Sequence, residues 1–165
     1  MDLVVRNARI RGESGTKDIA VRDGLVAAIG ERLAVQAGRE IDAGGNLASA
    51  PFIDPHLHLD AALSVGDPRY NESGTLLEGI AIWGERRPSL QKNEVLRNAR
   101  EAVLWEVANG VQFIRTHADT TDSALVTVEA LVELREEMKD VAEIQVVAFP
   151  QDGVFTFPEG EANLR

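Results

Sequence analysis

Phe52-Ile53-Asp54-Pro55-His56-Leu57-His58-Leu59-Asp60 is the stretch on which the fold turns. It opens as an apolar strand with proline in its middle and closes on two histidines and a carboxylate. Residues i and i+2 of a strand point to one face. His56 and His58 therefore present their imidazoles side by side, roughly 7 Å apart at the backbone by strand rise. Two neutral imidazoles can converge on one divalent ion. The competing reading is a pair of hydrogen-bonding or exposed histidines. The chain has three histidines and two of them sit here. Sites in folds that alternate strands and helices gather at the strand C-terminal ends, and that location favours ligation.

Working outward, helical stretches alternate with short apolar strands from Ala50 onward. The first strand runs from Phe52 to Leu59. Asn93 to Asn109 has helical spacing, with Val95, Leu96, Ala99, Val103 and Val107 near one face, and Asn109-Gly110 suits its C-cap. Val111 to Ile114 is the next strand. Asp122-Ser123 can cap a helix from about Ala124 to Lys139, with Leu125, Val128, Leu131, Val132 and Met138 as its apolar set. Ile144 to Phe149 is a nearly continuous apolar run, the kind buried in parallel sheets. This order predicts right-handed parallel crossovers. A longer connection lies between Leu59 and Pro88, carrying Tyr70 and Trp83. Connections of that length are usually functional or disordered. Pro158-Glu159 reads as the first turn of a further helix. A sheet of three parallel strands leaves an apolar edge and face uncovered. The expectation is therefore the front part of a larger fold, or a fragment needing a partner.

Residues 1–50 have a different character. Leu3-Val4-Val5, Ala8-Arg9-Ile10, Asp18 to Val21 and Leu25 to Ile29 are short strand candidates. Asp23-Gly24, between the last two, is a favoured two-residue hairpin turn. Gly44-Gly45 marks a further break. These features predict a small antiparallel sheet.

Two further constellations follow strands. Arg115-Thr116-His117-Ala118-Asp119 closes the second of these strands, and parity puts His117 and Asp119 on one face. A carboxylate beside a histidine can fix its tautomer. The alternative is a histidine packed under the sheet. Phe149-Pro150-Gln151-Asp152-Gly153 lies just past the third strand. The Gln151 amide offers one acceptor and two donors in a plane, matching the edge of a pyrimidine or other lactam, although a loop glutamine is more often solvated. The loop Ser73 to Gly79 exposes backbone groups near glycine. The run Arg135 to Asp140 reads as a solvated helix face, and Trp83 and Trp105 as packing residues.

Composition narrows the function classes. The 165 residues are 44% hydrophobic and 27% charged, enough apolar material for a core. With no cysteine, disulfides, thiolate metal sites and cysteine nucleophiles are excluded. The formal net charge of −10 argues against binding nucleic acid, whose phosphates it repels. No apolar run approaches the ~20 residues of a membrane span. Asp2, Arg6 and Asn7 interrupt any apolar stretch of signal-peptide type. A cytoplasmic protein acting on small molecules is expected, with neither nucleic acid nor membrane as partner.

The run Ile19 to Gly30, then Ile41-Asp42-Ala43-Gly44-Gly45-Asn46, then Phe52 to Asp60, resembles the opening of the metal-dependent amidohydrolase superfamily. Within it, His56 to Asp60, Ser73 to Ile80 with Trp83, Asn109 to Asp119 and Val146 to Gly153 resemble the bacterial cytosine deaminases, in the same order and spacing. The resemblance covers essentially the whole chain. It implies an α/β fold, the N-terminal part of a TIM-type (β/α)8 barrel (residues 51–165) preceded by short strands of a flanking β-sandwich (residues 1–50). It implies hydrolytic deamination of cytosine or a related heterocycle, with one divalent ion, Fe2+ or Zn2+, as cofactor. His56 and His58 match metal ligands. Gln151 matches the glutamine that holds the ring, and Leu76 a leucine whose backbone meets the substrate amino group. His117, with Asp119 beside it, matches a pocket-lining position. The family's third metal histidine, catalytic glutamate, further active-site histidine and metal-binding aspartate have no counterpart among these residues, so no catalytic residue is assigned here. A homo-oligomer is implied for a complete parent chain. A cyclic-amide hydrolase and a non-catalytic fragment or interaction module are the alternatives.

Overall fold

Asp23 and Gly24 both take left-handed backbone angles, φ 52° and 74°. That is what a tight hairpin between twisted strands requires, and it joins β2 (Lys17–Arg22) to β3 (Leu25–Gly30) as expected. The computed structural model describes all residues, Met1–Arg165, in two compact units, Met1–Ala50 and Pro51–Arg165.

In the first unit, β1 (Leu3–Ile10) is one strand rather than two, with a bulge between Val5 and Ala8 where Asn7 adopts φ 56°. β4 (Arg39–Asp42) and β5 (Leu47–Ala48) complete a sheet of order β3-β2-β1-β4, with β5 also on β1. The expected antiparallel sheet is therefore corrected to a mixed one, since β4 and β5 both run parallel to β1. Residues 31–38 carry the chain past β1, so β4 arrives on its far side in the same direction. Val4, Ala8 and Ala20 form a small core. Arg6 ties the unit together. Its guanidinium donates to Asp18 Oδ2 at 2.8 Å, to Glu40 Oε1 at 2.9 Å and to the Leu33 carbonyl at 2.8 Å.

The second unit is built on three parallel strands, β6 (Phe52–Leu57), β7 (Val111–Asp119) and β8 (Glu143–Phe149), in that order. β6 stops two residues earlier than expected. The Leu59 N–H donates to the Thr116 hydroxyl at 3.0 Å instead of a strand partner, and Leu59–Ala61 turns as a 3-10 helix. The long connection contains a helix the apolar spacing did not announce, α1 (Leu76–Arg86). Its N-cap is Thr75, whose hydroxyl accepts the Glu78 N–H at 3.3 Å, while Glu78 accepts the Ser73 N–H at 2.7 Å. The Ser73 hydroxyl and N–H, with Arg69, hold Glu78 down to about 2. α2 (Lys92–Ala108) buries Val95, Leu96, Ala99 and Val103, as its spacing predicts.

α3 (Val126–Met138) starts later than expected, with Asp122 Oδ2 accepting the Val126 N–H at 2.9 Å. Its buried stripe is also rotated. Thr127, Ala130, Leu131, Leu134 and Met138 face the core, while Val132 is exposed. Ile114, Ala118 and Ile144 meet these helices from one face of the sheet. On the other face Ile53 and Phe113 are exposed, as an uncovered sheet predicts. The expected helix after Pro158 is corrected to turns and a short 3-10 helix, Ala162–Leu164. There Gly160 packs so close to the Val154 carbonyl that a Cβ would lie 2.3 Å from it. Trp105, expected in the packing, is largely exposed and donates to Glu101. No helix is long and apolar enough to cross a membrane.

Candidate functional site

The C-terminal ends of β6 and β7 bring all three histidines together. Leu57 stands opposite Thr116 in the parallel register, so His58 and His117 become neighbours. Pro55 fits β6 because this strand pairs on one side only. The Asp54 carboxylate accepts the His56 N–H at 2.9 Å and shapes the backbone there. The rings of His56 and His117 stack at 4.1 Å between centroids. His58 lies 5.4 Å from His56 and 5.5 Å from His117. One nitrogen from each ring falls within 4.8 Å of the others. Phe149 meets His58 and His117 with T-shaped geometry, at 5.4 and 5.6 Å.

The electrostatic surroundings of the three differ. His58 Nδ1 lies 3.4 Å from Asp60 Oδ1, and this carboxylate raises the His58 pKa above its ordinary value against the opposing effect of burial. Burial, then the neighbouring His56 and His58, lower that of His117. The buried His117 Nδ1 and Asp60 Oδ1 have no hydrogen-bond partner. The other Asp60 oxygen accepts the Asp119 N–H at 2.9 Å, which holds the carboxylate in place. The result is a set of imidazole donors with an orienting carboxylate behind one of them, an arrangement suited to a divalent ion.

Beside the cluster lies a cavity of about 290 Å³ lined by His58, Asp60, Leu76, Ile80, Trp83 and Gln151 among others. Three residues singled out in separate parts of the sequence, His58, Leu76 and Gln151, thus share one recess. Leu76 opens α1 and is 78% exposed. A larger recess of about 480 Å³ follows the uncovered sheet face at Ile53, Phe113, Arg115 and Gln145, and none of the histidines lines it.

His117 and Asp119 do not line the smaller cavity. His117 belongs to the histidine cluster. Asp119 is 1% exposed, and it does not orient His117 as its parity suggested. Its oxygens are taken up elsewhere, by the Trp83 indole N–H at 2.6 Å, Arg87 at 3.2 Å and the Thr121 N–H at 2.8 Å. Sequence reasoning missed Asp60, Arg87 and Phe149 as site components. Asp60 had a visible signal, two residues beyond His58 in the opening stretch. Arg87 had none, because only the fold brings it to Asp119.

A sequence profile described as the amidohydrolase family matches residues 39–164. The chain is 32% identical to N-isopropylammelide isopropyl amidohydrolase of Pseudomonas sp. strain ADP, over 99% of this chain and 42% of that protein. The structure superposes on 5-methylcytosine deaminase from Klebsiella pneumoniae, crystallised with 5-fluorocytosine, with a TM-score of 0.88 and 39% identity. The match covers 97% of this chain and 39% of that one. N-isopropylammelide isopropylaminohydrolase from Burkholderia multivorans gives a TM-score of 0.81 and 28% identity, over 99% of this chain and 42% of that one. The chain therefore spans about two fifths of the length of these relatives. With the family profile matched over most of its residues, the chain belongs to the amidohydrolase family.

Proposed function

We propose that this chain supplies the metal-holding and ring-binding front of a barrel enzyme that deaminates cytosine or a related nitrogen heterocycle with water, releasing ammonia. In this reading residues 51–165 are the first strand–helix units of the barrel and residues 1–50 part of a flanking β-sandwich. The observation that carries the reading is the meeting of His58, Leu76 and Gln151 in one cavity beside the histidine cluster. Its likeness to a 5-methylcytosine deaminase supports the choice of ring.

The residues present fit a divalent ion. Three imidazole nitrogens lie close together, and the Asp60 carboxylate stands behind the His58 ring. His56 and His58 would hold the ion, either Fe2+ or Zn2+, and His117 packs against His56. When bound, such an ion supplies Lewis acidity that makes water a nucleophile near neutral pH. Asp60 orients the His58 ring. Gln151 presents its planar amide to the lactam-like edge of the heterocycle, accepting from a ring N–H and donating to a carbonyl. Leu76 offers a backbone group to the exocyclic amino substituent. Trp83, Ile80 and Leu76 give the recess an apolar lining, which strengthens each polar contact there.

The test is a screen of cytosine, 5-methylcytosine and related rings for ammonia release by the purified, metal-loaded full-length barrel enzyme that carries these residues, in parallel with its His58→Ala variant. Ammonia release by the parent, with metal and activity lost together in the variant, is the expected result. Full activity in His58→Ala would overturn the metal assignment. The identity to an N-isopropylammelide amidohydrolase across nearly all of this chain favours a second reading, with an alkylamine as leaving group. Amine analysis of the same reactions separates the two, and ring opening without amine release would overturn both.

A further inference from the structure

Gln151 sits in a tight turn, residues 150–153, closed by the Gly153 N–H donating to the Pro150 carbonyl at 2.9 Å. Gly153 takes φ 92°, a conformation open to glycine and strained for other residues. Such a turn can pivot about its ends, and two carboxylates hold it. Asp119 Oδ1 accepts the Gln151 N–H at 3.4 Å. The next residue, Asp152, is ion-paired through its Oδ2 with Arg87 Nη2. The other terminal nitrogen of the same guanidinium donates to Asp119 Oδ2 at 3.2 Å and to the Thr121 hydroxyl and carbonyl. Arg87 directly follows α1, Asp119 ends β7 and Asp152 follows β8. One planar fork therefore links three elements. Lysine, a single point charge, could not make the same set of bonds. Trp83 donates to the same Asp119 oxygen and lines the cavity with Gln151, so both walls of the recess lean on this network.

We propose that Arg87 is the positioning residue for Gln151. By holding Asp152 and Asp119 together it fixes the turn so that the glutamine amide faces the cavity. Arg87 does not itself line that recess and acts through the turn. This rests on the reading of Gln151 as the ring-binding residue, and the experiment separates the two.

Steady-state kinetics with cytosine on the metal-loaded, full-length enzyme form a double-mutant cycle of Gln151→Ala, Arg87→Met and the pair. Each single change is expected to raise KM about tenfold, the effect of one or two lost hydrogen bonds, with metal content unchanged. The double variant should be no worse than Gln151→Ala alone. Losses that multiply, or an unchanged KM in Arg87→Met beside a raised one in Gln151→Ala, overturn the proposal. Amide hydrogen exchange at Gln151 and Gly153 gives a readout independent of substrate. Arg87→Met should speed it about tenfold as the turn's opening cost falls. Unchanged exchange overturns the clamp whatever the kinetics show. If Gln151→Ala leaves KM unchanged while exchange still quickens in Arg87→Met, the clamp stands and the ring-binding reading fails. Asp152→Asn, at a partly exposed side chain, breaks one arm of the clamp in a variant expected to fold, and should reproduce the exchange result.

Discussion

Asp60 divides its two oxygens between two tasks. Oδ2 accepts the Asp119 N–H at 2.9 Å and so is locked to the end of β7. Oδ1 faces His58 Nδ1 at 3.4 Å with no donor of its own. A carboxylate placed behind a liganding imidazole fixes its ring orientation and raises its basicity, and losing it typically costs 10–100-fold in metal affinity. Asp60→Asn keeps an oxygen for the Asp119 N–H but removes the charge that acts on His58. The expected outcome is a fold unchanged by circular dichroism and a divalent-ion affinity lower by about 10–100-fold, read by competition with a chelator. An unchanged affinity would mean that Asp60 serves only the backbone. At this scale the sequence was legible where residues are neighbours in the chain: His56 and His58 meet although His58 lies just past the end of β6. The approach of His117 to them was not legible, because it depends on Leu57 standing opposite Thr116, a register that no local pattern encodes.

Elements show the same division between local and tertiary causes. The Asp23-Gly24 hairpin and α2 were readable because turn chemistry and a regular apolar stripe are local. β4 was not, since Arg39-Glu40-Ile41-Asp42 has a single apolar residue and is held by its pairing with β1. α1 carried a capping signal, Thr75 followed by Glu78, which the glycines around it obscured. In α3 the apolar set misled. Val132 lies on the helix but is 40% exposed, whereas Leu134 is 0% exposed. What decides the stripe is the position of α2 and the sheet, and that rotates the buried face by part of a turn. The two leucine and valine positions therefore test the packing directly. Leu134→Ala should cost about 2–5 kcal/mol by removing fully buried methyl groups and leaving a cavity. Val132→Ala should cost under about 1 kcal/mol, since it removes two methyl groups from a residue already 40% exposed to water. Urea titrations of both variants read the difference. Equal costs would mean that the helix packs on the face its apolar residues first suggested.

Across the whole molecule, acidic residues outnumber basic ones by 27 to 17, so the folded chain carries a net charge that repels itself. Several of its ion pairs join segments far apart in the chain. Arg6 with Asp18 and Glu40 is the case in the first unit, where the buried core is small. This is also why charge patterning said little about architecture beforehand. Residues 6, 18 and 40 have no sequence relationship until the bulge at Asn7 and the return of β4 bring them together. The consequence is a defined acid response. Arg6, and after it the Asn7 and Leu33 N–H groups, hold the Asp18 carboxyl below its ordinary 3.8. A carboxyl depressed on folding stabilises the native state above its unfolded pKa, and that contribution is lost as pH falls through the folded value. The contribution of Asp18 to stability should therefore be flat near neutrality and begin to fall below about pH 5, as the unfolded carboxyl starts to take up its proton. Asp18→Asn removes that linkage but leaves a side chain that can still accept the Asn7 N–H. Its melting temperature at neutral pH should be lower than that of the parent, and the gap between the two profiles should narrow as the pH falls below the ordinary carboxylate range. Melting followed from pH 7 to pH 3 for both proteins gives the comparison. A constant gap between the two curves would mean that Asp18 contributes through shape alone and that its charge does not stabilise the fold.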